Sequence, residues 1–350
     1  MLRKWFLLIS SLLFCIQVQA YPGFRQITLS DQKEEPLNVA VWYPALSGGV
    51  TENVGDNAAF TGVSIIRNAL PIPGEHPLIV ISHGYNGNWR NLSWIAEAMA
   101  MQGYIVAAPD HPGTTTFNQN PADAKKLWRR PLDITRVIDS VIHSPGLFGK
   151  TDKGRIAALG HSLGGWTVMS LAGARFEPLR FLHDCRQQPH RGDCKLKDKL
   201  GIDNEVARAK LSADNRDARI KAVVSLDAGL APGFTPQSLR DIDIPVLILA
   251  AQNGRLAELP FRQESGYIAA HMAPRRSQFE VIDGATHFSF MQLCKTGAEE
   301  LINQESPGDG IVCRDGIGAN RADIHKKLVR EISLFLNSSL NYHLPADETK

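Results

Sequence analysis

Six short apolar runs frame this chain: PLIVIS (77–82), YIVAA (104–108), RIAALG (155–160), IKAVVSL (220–226), PVLILAA (245–251) and QFEVI (278–282). A strand with one face in water carries polar residues at alternate positions; most of these runs do not, which predicts a parallel sheet covered on both faces by helices. Between them, WIAEAMAMQG, PLDITRVIDSVIHS and LGGWTVMSLAGARF read as helices. A last helix, from about Asn320 to Asn337, places Ile324, Leu328, Ile332 and Leu336 on one face. Strand–helix alternation of this kind predicts a doubly wound α/β fold. Upstream, FRQITLS and LNVAVWYPA alternate and read as antiparallel strands at a sheet edge. A Gly/Asn-rich loop is expected after them, from Gly48 to about Pro73. No internal repeat or linker divides the chain, so residues 21–350 read as a single domain.

Two polar stretches break the rhythm, 176–219 and 294–319, each holding one pair of cysteines. Long insertions at strand ends serve as lids or as stapled surface decoration, and both readings stand at this point. The first twenty residues differ again: Arg3 and Lys4 precede WFLLISSLLFCI, and QVQA leads into YPGF. A basic start, an apolar core too short to span a bilayer and a small-residue cut site predict a signal peptide cleaved after Ala20. Its loss removes Cys15 and takes the net charge of +2 to about zero. That balance, with no Lys/Arg run, gives no attraction to nucleic acid. Cys185, Cys194, Cys294 and Cys313 remain, an even number in an exported chain, and neither pair has zinc-site spacing. Local closure costs least entropy, so the expected disulfides are Cys185–Cys194 and Cys294–Cys313.

The chemistry is carried by RIAALG-HSLGGW, which sets Ser162 between a strand and a helix in Gly160-x-Ser162-x-Gly164. Such a turn is so sharp that small residues are needed two positions either side, and it lifts the hydroxyl off the sheet edge. A serine nucleophile needs a base. Of eleven histidines, His287 in DGATHFSF follows the last strand, where the chain order nucleophile, acid, histidine puts it. His325 is expected to face solvent on the terminal helix, His183 and His190 fall in the polar insertion, and His161 is expected to point into packing. The oxyanion needs two N–H donors: Leu163, next to the serine, and Tyr85 in the His83-Gly84-Tyr85 turn after PLIVIS. For the acid, Asp227 ends IKAVVSL directly, whereas PVLILAA is followed by QNGRLAELP and reaches no carboxylate before Glu258. Asp227 is therefore the expected partner of His287, with Glu258 as the alternative.

The segments ISHGYNGNWRNLSWIAEAMAMQGYIVAAPDHPG, GHSLGGW, VVSLDAG and ATHFSF resemble the platelet-activating-factor acetylhydrolase family and its bacterial dienelactone-hydrolase-like relatives. FRQITLSD, LNVAVWYPA and LWRRPLDITRVIDSV resemble those bacterial relatives too. The resemblance covers most of the chain after residue 20, the two insertions excepted. It implies the α/β-hydrolase fold and ester hydrolysis through Ser162, Asp227 and His287, with Tyr85 and Leu163 as backbone donors. True dienelactone hydrolases use a cysteine nucleophile, which Ser162 replaces. Cutinase-like polyester hydrolases are similar as well, in the Gly-Tyr loop and the DGATHF-like loop, but their acid follows the later strand. The expectation is a secreted or periplasmic serine esterase, needing no metal or cofactor, on short-chain acyl or phospholipid-like esters, with transient contact to a lipid surface. The alternatives are a cutinase-like polyester hydrolase and a catalytically silent relative used for binding.

Overall fold

The structure is a computed structural model that describes residues 21–31, 34–254 and 258–342. The leader expected over residues 1–20 lies outside the described residues.

Ten strands form one sheet: β1 Tyr21–Asp31, β2 Glu34–Ala45, β3 Thr51–Val54, β4 Val63–Arg67, β5 Glu75–Ser82, β6 Ile105–Pro109, β7 Lys150–His161, β8 Ile220–Leu226, β9 Val246–Ala251 and β10 Ser277–Ile282. Their order across the sheet is β10-β9-β8-β7-β5-β6-β2-β1-β4-β3. From β10 to β6 all neighbours run parallel, and β2 pairs antiparallel with both β6 and β1. This is the mostly parallel, helix-covered sheet of the α/β-hydrolase fold.

Alternation along each strand explains why both faces are apolar. In β5, Leu78 and Val80 pack into a core shared with Ile134, Val137 and Ile138 of the helix Arg129–Ile142 and with Trp166 and Met169 of the helix Leu163–Ala172. Ile79 and Ile81 pack on the opposite side with Ile95 and Met99 of the helix Ser93–Met101 and with Leu328 and Ile332 of the helix Arg321–Ser339.

One expectation is corrected here. β1 and β2 pair antiparallel as read, but they do not form the sheet edge, and 48–73 is more than a loop. Within it, β4 joins β1 in parallel and β3 closes the sheet against β4. Val63 and Ile65 alternate inward in β4 while Ser64 and Arg67 face out, a pattern too short to stand out among the surrounding glycines and asparagines.

The chain crosses from one side of β5 to the other between β6 and β7. The loops leaving β5 and β7 therefore diverge, and a crevice opens at their carboxyl ends.

Candidate active site

Ser162 sits at that crevice, half-buried, with φ 57° and ψ −118°, a backbone region side chains seldom adopt. The flanking glycines permit the turn. A Cβ on Gly160 would come within 2.1 Å of the Gly164 carbonyl oxygen, and one on Gly164 within 1.9 Å of the Ser82 carbonyl oxygen. The turn is pinned by the Ser162 N–H donating to the Leu226 carbonyl at 2.9 Å. Leu163 then opens the helix Leu163–Ala172, so its amide is among those that a helix leaves without an internal partner.

The structure brings the three expected side chains into one chain of contacts. Ser162 Oγ lies 2.9 Å from His287 Nε2, and His287 Nδ1 lies 2.7 Å from Asp227 Oδ2. With Nδ1–H donating to the carboxylate, Nε2 is left to accept the serine proton. Asp227 follows β8 in a left-handed turn, φ 43°, and its Oδ1 accepts from the Ala251 N–H at 2.8 Å. Its own amide donates to Leu249 at 2.7 Å, so β9 holds the acid from both ends. Glu258, the alternative, is exposed and ion-paired with Lys195. Gln252 and Asn253 instead support the histidine loop: Gln252 Oε1 accepts from Gly284 N–H at 2.9 Å, and Asn253 N–H donates to Ala285 at 2.9 Å.

The His83–Gly87 turn lies against the elbow, where a Cβ on Gly84 would stand 3.2 Å from Ser162 Cβ. Tyr85, the second expected donor, lines the same cleft as Ser162 and His287. Below this turn is a polar cluster that the sequence reading missed. Ser82 Oγ is 3.0 Å from His111 Nε2, and His111 Nδ1 is 3.0 Å from Asp133 Oδ2. Arg130 joins it, with every member at most 6% exposed. Burial pushes Asp133 up to about 7 and brings Arg130 down to about 9. The residues were in view as the LWRRPLD segment, but its spacing does not show which distant loops its charges meet.

His287 begins a short 3-10 turn held from several sides. His161, packed beneath as expected, lies with Nε2 2.9 Å from the His287 carbonyl. Thr286 Oγ1 donates to the Arg314 carbonyl at 2.8 Å, and Arg321 binds Asp315 at 3.0 Å and the Gln292 carbonyl at 3.1 Å. His325 departs from its expected place in solvent. It is buried, stacks on Trp94 with centroids 3.7 Å apart, and has Nε2 3.0 Å from the Ser289 carbonyl. Lying one turn after Arg321, it shares the inward stripe of the helix. Burial, helped by the Arg321 charge, lowers its pKa to about 4.

Both expected disulfides are present, Cys185–Cys194 and Cys294–Cys313. The insertions around them differ in place. The cleft, about 680 Å³, is walled by Phe60, Tyr85, Phe117 and Phe288, and the second insertion adds Ile302, Ile311 and Val312. No residue of 176–219 lines it. That stretch stands behind the acid loop instead. Buried Arg191 binds Asp193 at 2.6 Å and Glu264 at 2.8 Å, and these carboxylates accept from the Leu230 and Ala231 amides at 2.8 and 2.9 Å. Burial beside Asp193 raises the Glu264 pKa well above the usual carboxylate range.

A family model described as PETase, PET hydrolase-like, matches residues 51–179. The chain is 25% identical over 211 residues to cutinase est2 of Thermobifida alba, covering 60% of this chain and 52% of that protein. It is 25% identical over 116 residues to a bis(hydroxyethyl) terephthalate hydrolase of Streptomyces coelicolor, covering 33% of this chain and 34% of that protein. The chain thus spans about half or less of the length of these curated relatives. Among solved structures, a ferulic acid esterase from Streptomyces cinnamoneus aligns over 96% of this chain and 95% of its own, with TM-score 0.62 and 17% identity. That likeness is one of fold.

Proposed function

We propose that this chain is an exported serine carboxylic-ester hydrolase that works through an acyl-enzyme. The observation that carries the reading is the Ser162–His287–Asp227 relay, 2.9 and 2.7 Å per link, beside a helix amide at Leu163 and the loop amide at Tyr85. His287 takes the Ser162 proton as Oγ attacks the ester carbonyl carbon. The carbonyl π electrons move onto oxygen, which the Tyr85 and Leu163 N–H groups receive. The tetrahedral intermediate collapses, the C–O bond to the alcohol breaks, and His287 returns its proton to the leaving oxygen. Water repeats the sequence to release the acid and restore Ser162. Asp227 keeps the imidazole in its Nδ1–H tautomer and stabilises it while charged. None of these steps needs a metal or organic cofactor.

The test is direct. Ser162→Ala should lower hydrolysis of a short-chain nitrophenyl ester by about 10⁵- to 10⁶-fold with the fold unchanged. A fluorophosphonate should label Ser162 and nothing else. Turnover that survives the substitution overturns the mechanism, and a wild-type chain without turnover favours the silent binding relative.

For substrate, the acid on β8 supports the acetylhydrolase-like reading, with short-chain acyl or phospholipid-like esters. A second reading has its own support. The family match and the curated relatives point to cutinase-like polyester hydrolysis, and the open cleft with aromatic and aliphatic walls suits a chain laid across it. Parallel assays of an acyl chain-length series and of bis(hydroxyethyl) terephthalate separate the two.

A further inference from the structure

We propose that Arg130 is a positioning residue that clamps together the two backbone segments bearing the oxyanion donors; this rests on the ester-hydrolase reading above. The guanidinium is 2% exposed. Among the described residues it donates to Thr167 Oγ1 at 3.0 Å, Thr114 Oγ1 at 2.6 Å, Ser82 Oγ at 3.1 Å and the His83 carbonyl, all neutral acceptors. A buried cation ordinarily meets a carboxylate, because leaving it unpaired is costly. Here the nearby Asp133 is engaged by His111 and Arg136, at 3.0 and 3.5 Å. Burial lowers the Arg130 pKa only to about 9, so it stays charged at neutral pH.

The fork reaches both donor segments. One arm holds Ser82 and the His83 carbonyl, at the root of the Tyr85 turn. There the His111 N–H donates to His83 Nε2 at 3.0 Å, so in the neutral ring Nδ1 carries the proton and donates to the Gly84 carbonyl at 2.7 Å. Burial and the Arg130 charge hold His83 neutral. In a trans peptide the C=O and the N–H point in opposite directions, so fixing the Gly84 carbonyl fixes where the Tyr85 N–H aims. The Nε–H of the same guanidinium reaches Thr167, whose hydroxyl donates to the Leu163 carbonyl at 3.0 Å, at the first turn of the elbow helix. One planar, rigid group therefore sets the spacing between the Tyr85 and Leu163 amides, and its charge beneath them favours a developing oxyanion.

The test uses the full chain and a soluble nitrophenyl ester, with kcat, KM and melting temperature read for each variant. Arg130→Lys keeps the charge and loses the fork; kcat should fall about 100-fold with KM within about twofold, as for a catalytic group misplaced by an ångström. Thr167→Val cuts only the link to Leu163 and should lower kcat about 10-fold, with Thr167→Ser restoring it. Thr114→Val also removes one acceptor from the guanidinium but reaches the Tyr85 turn only through a long bond to the His111 carbonyl at 3.4 Å, so it should cost stability and lower kcat less than Thr167→Val does. The clamp alone falls if Ser162→Ala is inactive while folded Thr167→Val matches wild type, or if Thr114→Val slows turnover equally. If Ser162→Ala retains turnover, both readings fall together.

Discussion

One oxygen of Asp227 faces the His287 ring and the other is occupied by the Ala251 N–H, so the carboxylate is held at both ends. An amide in its place has one acceptor too few: its NH₂ must face either the imidazole N–H or the strand amide. Asp227→Asn should therefore disturb the tautomer rather than the fold, and lower kcat by about 10⁴-fold at near-normal melting temperature. Glu258→Gln, which among the described residues touches a surface pair with Lys195, should change kcat less than twofold. The reverse result would move the acid to the later strand. The position of Asp227 was readable because a strand that ends on a carboxylate delivers it to the sheet edge, and local order alone decides that. His325 was misplaced because its partner Trp94 comes from a distant helix, and helical spacing does not say which flank of a stripe another helix covers. Arg130 was missed for the same reason: its four partners come from three separate segments.

The loop that carries His287 has few backbone bonds of its own and is held by its neighbours, so its neighbours govern its stability. The Cys294–Cys313 bridge spans 19 residues and sits just beyond it. Replacing both cysteines with alanine should cost about 3 kcal/mol, measured by denaturant unfolding, and should also lower kcat as Thr286 loses its anchor at Arg314. Removing Cys185–Cys194, which closes nine residues away from the cleft, should cost slightly less stability and leave KM unchanged. A KM change in the second variant would place that insertion over the substrate. The terminal helix adds a pH-dependent contact through His325, whose pKa is lowered to about 4 from 6.5. The stability this gives is complete above the unfolded value and is lost as pH falls from 6.5 through about 4. Within that window it contributes up to about 1.4 kcal/mol per pH unit. His325→Phe keeps a ring on Trp94 and does not titrate, so its unfolding midpoint should fall less steeply between pH 7 and 4. His83, His111 and His161, also lowered, keep the curve from becoming flat. Parallel curves for variant and wild type would refute the assignment. At this scale the parallel strands and main helices were legible because each carries its own periodicity. The short β3–β4 pair was hidden because its stability comes from β1, not from its own few residues.

Across the whole molecule the two insertions divide the work: one walls the cleft, and the other braces the acid from behind. Since no residue of 176–219 lines the cleft, that stretch should not gate entry. The rate on a sparingly soluble short-chain ester should rise smoothly through its solubility limit; a sharp jump at the onset of aggregates would mean a lid. Composition could say that both insertions were stapled, but it could not say which faces the substrate. That depends on where the sheet delivers each loop. The terminal helix has a consequence of another kind. Its first residue, Arg321, and His325 one turn on both tie down the histidine loop, so His287 is steadied by a helix that follows every described strand in the chain. A nascent chain can therefore assemble the sheet, the elbow and the Asp227 turn before the helix that steadies His287 has been made. On the ester-hydrolase reading, the relay would be complete only once that helix has docked against the His287 loop.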